Sequence, residues 1–191
     1  MRASLLKNIK KYISLTNEEE KNLKESFQTV YVPKKTHLLE AGKICDFEAF
    51  VVSGCFRVYI LDEKGQEHVL YFAIEDWWLA DLDSYNHEKP SLLYMEALED
   101  SEVLWIPKNR KEALYDEIKE FECMFRKMTQ VQCVALQRRI IQNLSMNAEE
   151  RYIDFCTRYP KIRARLTNLH IAAYLGISHE FLSKIRKKIS Q

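Results

Sequence analysis

The sequence predicts an α+β chain: a β-rich body, then a long helix, then a small all-helical unit. Three observations predict it. Across residues 30–107 short β-rich runs are separated by turn residues. Across residues 118–144 apolar residues recur every three or four positions. Residues 167–191, TNLHIAAYLGISHEFLSKIRKKISQ, read as two short helices around a tight turn.

Taken in order, residues 5–28 have a helical pattern interrupted at Ser14-Leu15-Thr16. Thr16 followed by Glu19 has the spacing of a capping box for a helix through Phe27. The run VYVPKKTHLLEAG alternates and turns at Gly42. FEAFVVSGCFRVYIL is β-rich with Gly54 in its middle, where two strands are expected to meet. DEKGQEHVLYFAI predicts a hairpin at Lys64-Gly65, and EDWWLADLDSYNHEKP a compact loop. LLYMEALEDSEVLWIP supplies two more strands with a turn near Asp100. Six or more short strands in about 80 residues suggest a barrel or sandwich. A short helix follows Pro107, through Tyr115.

The long helix has apolar residues on more than one face: Phe121, Met124, Met128, Val131 and Ala135, continuing through Leu136, Ile140 and Leu144. A helix apolar around so much of its circumference needs two partners. The β-rich body covers one side; a second copy of the helix is the favoured cover for the other, making a homodimer. A central helix buried within one monomer is the other reading. Asn147 and Glu150 then form a second capping box, for a helix with Tyr152, Ile153 and Cys156 on its apolar face. KIRARL leads into the terminal pair.

In that pair Ile171, Ala172 and Leu175 form an apolar face. Gly176 suits the positive φ of a chain leaving a helix. Ile177 plugs the turn and Ser178 caps the second helix. Leu182 and Ile185 face back to the first. Ala, then Gly four residues later, then apolar residues one, six and nine after the Gly, is the spacing of a DNA-binding helix-turn-helix. Charge agrees. The 191 residues carry a net +1, yet residues 161–191 hold seven Lys or Arg against one Glu, a net +6. The remainder is therefore net −5, and any nucleic-acid contact belongs at the C-terminal end.

Other classes find less support. No apolar run is long enough to span a membrane, and the opening MRASLLKNIKKY is amphipathic and basic, unlike a signal peptide. Cys45, Cys55, Cys123, Cys133 and Cys156 lack CxxC spacing and suggest reduced, mostly buried thiols of a cytoplasmic protein. Asp76, Asp81 and Asp83 match no calcium loop, and no two of the five histidines sit at metal-ligand spacing. Neither a nucleophile–base signature nor a P-loop points to an enzyme. Of Trp77 and Trp78, one is expected in the core; the other floors a ligand pocket or packs on the long helix.

The order of these parts, with FVVSGCFRVY, FAIEDWWLADLDS and IAAYLGISHEFLSKIRKK, resembles the Crp/Fnr transcription regulators along nearly the whole chain, and within them a subgroup common in Bacteroidetes. The resemblance implies a jelly-roll barrel of the cyclic-nucleotide-binding kind over residues 1–117, a dimerisation helix over 118–145, and a DNA-binding domain over 146–191. It also implies double-stranded DNA, a second copy of the chain and RNA polymerase as partners. His179, Glu180, Ser183 and Lys184 would read bases; Arg163, Arg165, Thr167, Ser178, Lys187 and Lys188 would meet phosphates. Candidate pocket residues are Trp77, Trp78, Asp81, Ser91 and Tyr94.

Departures from the family matter. Members that bind cyclic AMP carry a Gly-Glu pair and an Arg-Ser or Arg-Thr pair; here Ala80-Asp81-Leu82 and Ser91-Leu92 stand there. No Arg or Lys matches the phosphate position, Lys89 being the nearest substitute, so ordinary cyclic AMP binding is not expected. The effector stays open, and no cofactor is expected. No cysteine precedes Cys45, which argues against an N-terminal iron–sulfur cluster. With the sequence running to Gln191, no β-hairpin wing is expected after the second helix of the motif. The reading from another class is a ligand-binding or interaction module whose terminal hairpin docks a protein.

Overall fold

The computed structural model describes residues 2–189; Met1 and the last two residues of the terminal stretch, Ser190 and Gln191, lie outside the described residues. The chain opens with α1 (Arg2–Ile9) and α2 (Asn17–Ser26). The Thr16 hydroxyl accepts from the Glu19 N–H at 3.3 Å, and the Glu19 carboxylate accepts from the Thr16 N–H at 2.7 Å. This is the predicted capping box, which satisfies two otherwise orphaned donors. The helix ends at Ser26, and Phe27 is already extended. Leu5, Ile9, Leu23 and Phe27 are buried against the barrel and the long helix.

The barrel follows: β1 (Gln28–Val32), β2 (His37–Leu39), β3 (Phe47–Ser53), β4 (Phe56–Leu61), β5 (Glu67–Ala73) and β6 (Trp78–Leu79), then α3 (Leu82–His87), β7 (Tyr94–Ala97) and β8 (Ser101–Pro107). Two four-stranded antiparallel sheets, ordered β1-β8-β3-β6 and β2-β7-β4-β5, face each other. Phe47, Ala49 and Val51 of β3 enter the barrel core, whereas Phe50 points to the helices. A strand covered on both faces reads as a continuous apolar run, which is why FEAFVV does not alternate. Gly54 joins β3 to β4 at φ 112°, and a Cβ there would lie 2.0 Å from the Ser101 Oγ. No other residue fits.

The stretch expected as a plain compact loop instead holds β6 and α3. Asp81 caps α3, its carboxylate accepting from the Asp83 and Ser84 N–H groups at 3.1 and 3.3 Å. A helix of six residues is too short to show a periodicity.

Next come α4 (Lys108–Glu117) and α5 (Lys119–Ser145). Lys111 of α4 is buried, donates to Glu48 of β3 at 2.6 Å and lies 4.0 Å from the Phe125 ring centre. Burial pushes the Glu48 carboxyl up, and the adjacent Lys111 opposes that. A buried pair of this kind fixes the helix on the barrel only while both partners are present.

Beyond α5 lie α6 (Ala148–Arg158), α7 (Pro160–Arg163), α8 (Asn168–Leu175) and α9 (His179–Ile189). The Asn147–Glu150 capping box forms, with the Asn147 side chain accepting from Glu150 at 3.0 Å. On α6 the buried residues are Tyr152 and Phe155, while Ile153 is exposed and Cys156 partly buried. The expected face was thus rotated by about one position. KIRARL does not run straight into the motif, because Pro160 starts the short α7, a favoured place for proline. These helices share one core with Tyr59, Val69 and Phe72 of the barrel, and α8 packs on β5. Cys45 and Cys55 are buried, but Cys133 is exposed. Burial pushes the Cys55 thiol up to about 12.

Candidate nucleic-acid interface and adjoining cavity

The turn between α8 and α9 has the geometry its residues require. Thr167 caps α8, accepting from the His170 N–H at 3.3 Å, and Gly176 ends it at φ 67° in the left-handed region. The Ser178 hydroxyl accepts from the Phe181 N–H at 3.2 Å. Ile171, Ala172 and Leu175 of α8 and Leu182 and Ile185 of α9 are buried together, with Ile177 partly buried in the turn.

This packing turns the other face of α9 outward. His179, Glu180, Ser183 and Lys184 are all exposed. The Ser183 hydroxyl donates to the His179 carbonyl at 3.0 Å, and the Glu180 carboxyl is held below its usual range by its own backbone N–H, with the Ser178 side chain second. Phe181 is 49% exposed on the same helix. Sequence reasoning passed over it, although its position beside the inward Leu182 and off the 182/185 stripe was the available signal.

The flanking residues divide. Arg163, Lys187 and Lys188 are exposed. Lys188 pairs with Glu149 at 2.7 Å, an exposed contact that costs little to break. Arg165 is different and corrects the expectation. Its guanidinium pairs with Glu75 at 2.8 Å and with Glu99, both on barrel loops. These hydrogen bonds hold its proton more firmly than usual. It therefore ties the helical unit to the barrel and is not presented to a phosphate.

Above this unit, a cavity of about 370 Å³ opens where the barrel, α5, α6 and α8 meet. Trp77 and Trp78 both line it. Trp78 is the core member, edge-on to Phe27, Phe50 and Phe125. Trp77 is 37% exposed and packs edge-on to Tyr159, on the helical unit rather than on α5 alone. Asp81, Ser91 and Tyr94 do not line this cavity. The Ser91 hydroxyl donates to Asp81 at 2.6 Å, so the two occupy each other. Tyr94 stacks on Tyr59 at 5.1 Å, away on the second sheet. The cavity's cations, Arg138 and Arg139 of α5 and Arg158 of α6, had not been singled out; residues from two separate helices show no spacing signal.

The long helix also sorts its faces. Phe121 and Met124 are fully buried against the barrel and Met128 partly so; Ala135 lines the cavity. Phe121, Met124 and Met128 lie on the side of α5 that covers this chain's own barrel, whereas Ala135 is exposed at the cavity's edge. Val131 is 64% exposed at its margin. Leu136, like Val131, is exposed and also borders the cavity, and the other exposed apolar residues are Val134, Ile140, Ile141 and Leu144.

Comparison with known proteins agrees with this architecture. Residues 29–117 match the cyclic nucleotide-binding domain family. No curated protein matches the sequence. Among solved structures, the chain is similar to the c-di-GMP responsive global regulator CLP of Xanthomonas campestris: TM-score 0.77, 12% identity, 92% of each chain covered. It is similar to a Crp/Fnr family transcriptional regulator from Eubacterium rectale: TM-score 0.72, 20% identity, 92% of this chain and 84% of that one. It is also similar to FixK2 of Bradyrhizobium japonicum: TM-score 0.75, 16% identity, covering 86% and 84%. The barrel segment thus matches the cyclic nucleotide-binding domain family over residues 29–117, and nearly the whole chain shares the fold of these solved regulators.

Proposed function

We propose that this chain is a transcription regulator that binds double-stranded DNA sequence-specifically as a homodimer. One observation carries the reading: α9 buries Leu182 and Ile185 while presenting His179, Glu180, Ser183 and Lys184 together. A recognition helix in the major groove needs that division. Glu180 accepts from a cytosine amino group, Lys184 donates to guanine, and Phe181 offers an apolar contact to a thymine methyl. Lys187, Lys188, Arg163 and the Ser178 and Thr167 caps surround that surface and suit phosphates, which position without reading sequence. The outward face of α5, Val134 to Leu144, is the proposed dimer seam; two copies would bring two recognition helices to successive half-sites. The domain limits proposed are residues 1–117, 118–145 and 146–191.

We also propose that the barrel has lost ordinary cyclic AMP binding, and the surroundings of Asp81 and Ser91 support this. Asp81 and Ser91 are buried and bonded to each other, and Lys89 is exposed and paired with Asp83 at 2.8 Å. A cyclic phosphate placed against Asp81 and Ser91 would therefore meet a carboxylate and a hydroxyl instead of a cation. RNA polymerase is a proposed partner of the DNA-bound dimer, and the cytoplasm its proposed compartment. A pull-down of genomic fragments with purified protein tests the reading: recovered fragments should share an inverted repeat. Capture of a protein partner, with no common DNA sequence, would favour an interaction module instead.

A further inference from the structure

We infer that Phe181 reads the 5-methyl group of one pyrimidine in each half-site, so that thymine and 5-methylcytosine are favoured there over uracil and cytosine; this rests on the DNA-binding reading of α9. Phe181 is the third residue of that helix (His179–Ile189), and the first turn of a recognition helix lies nearest the base edges. Leu182 is fully buried and Ile185 nearly so, which fixes the rotation of the helix about its axis. Successive residues turn by about 100°, so Phe181 is carried off the buried stripe. Its ring is 49% exposed, stands outside the core under the motif, and meets no other ring among the described residues. The Ser178 cap accepts from the Phe181 N–H at 3.2 Å and so holds this residue's backbone at the helix start. Lys184, three residues on, is its neighbour on the helix surface and is exposed beside it.

The ring does what the polar residues around it cannot. His179, Glu180, Ser183 and Lys184 exchange hydrogen bonds with donors and acceptors on base edges, whereas a phenyl ring has neither. Its gain in the groove is apolar area taken out of water, and the thymine 5-methyl is the apolar group that base edges offer there. The ring does not distinguish the thymine O4 acceptor from the cytosine amino donor. The methyl alone therefore decides: 5-methylcytosine presents it, and cytosine and uracil do not. Burying one methyl corresponds to roughly a threefold to fivefold change in affinity. Methylation of a cytosine at that position would thus tighten binding, and the surface would respond to the modification state of the DNA as well as to its sequence.

Anisotropy titrations of the full chain test this, on an operator first selected by wild-type protein from a random duplex pool. Each thymine of one half-site is replaced in turn by deoxyuridine. At one position the change should weaken binding about threefold to fivefold. Cytosine and 5-methylcytosine, each opposite guanine, are then compared at that position, and the methylated duplex should bind more tightly by a similar factor. Phe181→Ala should bind the thymine and uracil duplexes equally, and Phe181→Leu should keep part of the preference. Leu169→Ala is the control: Leu169 is 64% exposed at the start of α8, the helix that crosses the backbone, and its loss should leave the preference unchanged. The two wild-type comparisons stand even where Phe181→Ala folds poorly. A selected half-site without thymine, equal binding of thymine and uracil duplexes at every position, equal binding of cytosine and 5-methylcytosine, or a preference that survives Phe181→Ala or is lost in Leu169→Ala would overturn the inference and leave sequence-specific DNA binding intact. Recovery of no common operator would instead overturn the DNA-binding reading, and this inference with it.

Discussion

Arg165, between α7 and α8, donates to Glu75 at 2.8 Å and so bridges the helical unit to the barrel. Glu99 grips the same guanidinium from a second loop. A residue whose type and position suggest a phosphate contact thus serves as an internal tie. Arg165→Ala should leave the salt dependence of DNA binding unchanged, whereas Lys187→Ala should lower its slope by about one. Affinity titrations across a range of salt concentrations check this. Equal loss of slope in both variants would return Arg165 to the DNA surface.

Base-reading and positioning should separate on α9. Lys184→Ala is expected to cost roughly 1–3 kcal/mol at the best site and relax preference at one base pair. Lys187→Ala should weaken all sequences alike. Affinities over a set of single-base operator variants distinguish the two patterns.

Assembly should depend on the outward side of α5. Ile140 is 59% exposed on a single chain, so Ile140→Glu disturbs no core of the monomer. It should yield well-folded monomers by sedimentation and weaken DNA binding. Phe121→Glu would instead unfold the barrel edge, since Phe121 is fully buried there.

The sequence showed the strands other than β6, both capping boxes, the long helix and the whole α8–α9 motif, because each depends on local spacing and on residues such as Gly54 and Gly176 that few others can replace. It did not show which side of α5 faces the barrel, since both sides are apolar and only tertiary packing chooses between them. Nor did it show the partners of Arg165 and Arg139, which lie some tens of residues away in the chain. Asp81 illustrates the limit: its type suits a ribose contact, but its cap on α3 and its bond to Ser91 depend on the helix hidden in a stretch that reads as a loop.

Acid should loosen the contact between the helical unit and the barrel. Burial, and then the charge of Arg57, holds His170 below its ordinary value of about 6.5. The unfolded chain takes up a proton as pH falls through that value, whereas the folded chain resists. Stability contributed by the neutral imidazole is therefore full above about pH 6.5 and lost as pH falls toward the lower folded value. Thermal midpoints between about pH 7.5 and 5.5 should drop in the wild type, and drop less in His170→Gln.

The central claim is that paired copies of α9 read DNA sequence, and selection from a randomised duplex pool measures it most directly. Wild-type protein should enrich an inverted repeat with half-sites about one helical turn apart, centre to centre. The double variant Glu180→Ala, Lys184→Ala should enrich a motif degenerate at matching positions of both half-sites. No enriched motif with wild-type protein, or the same motif from wild type and variant, would contradict the account.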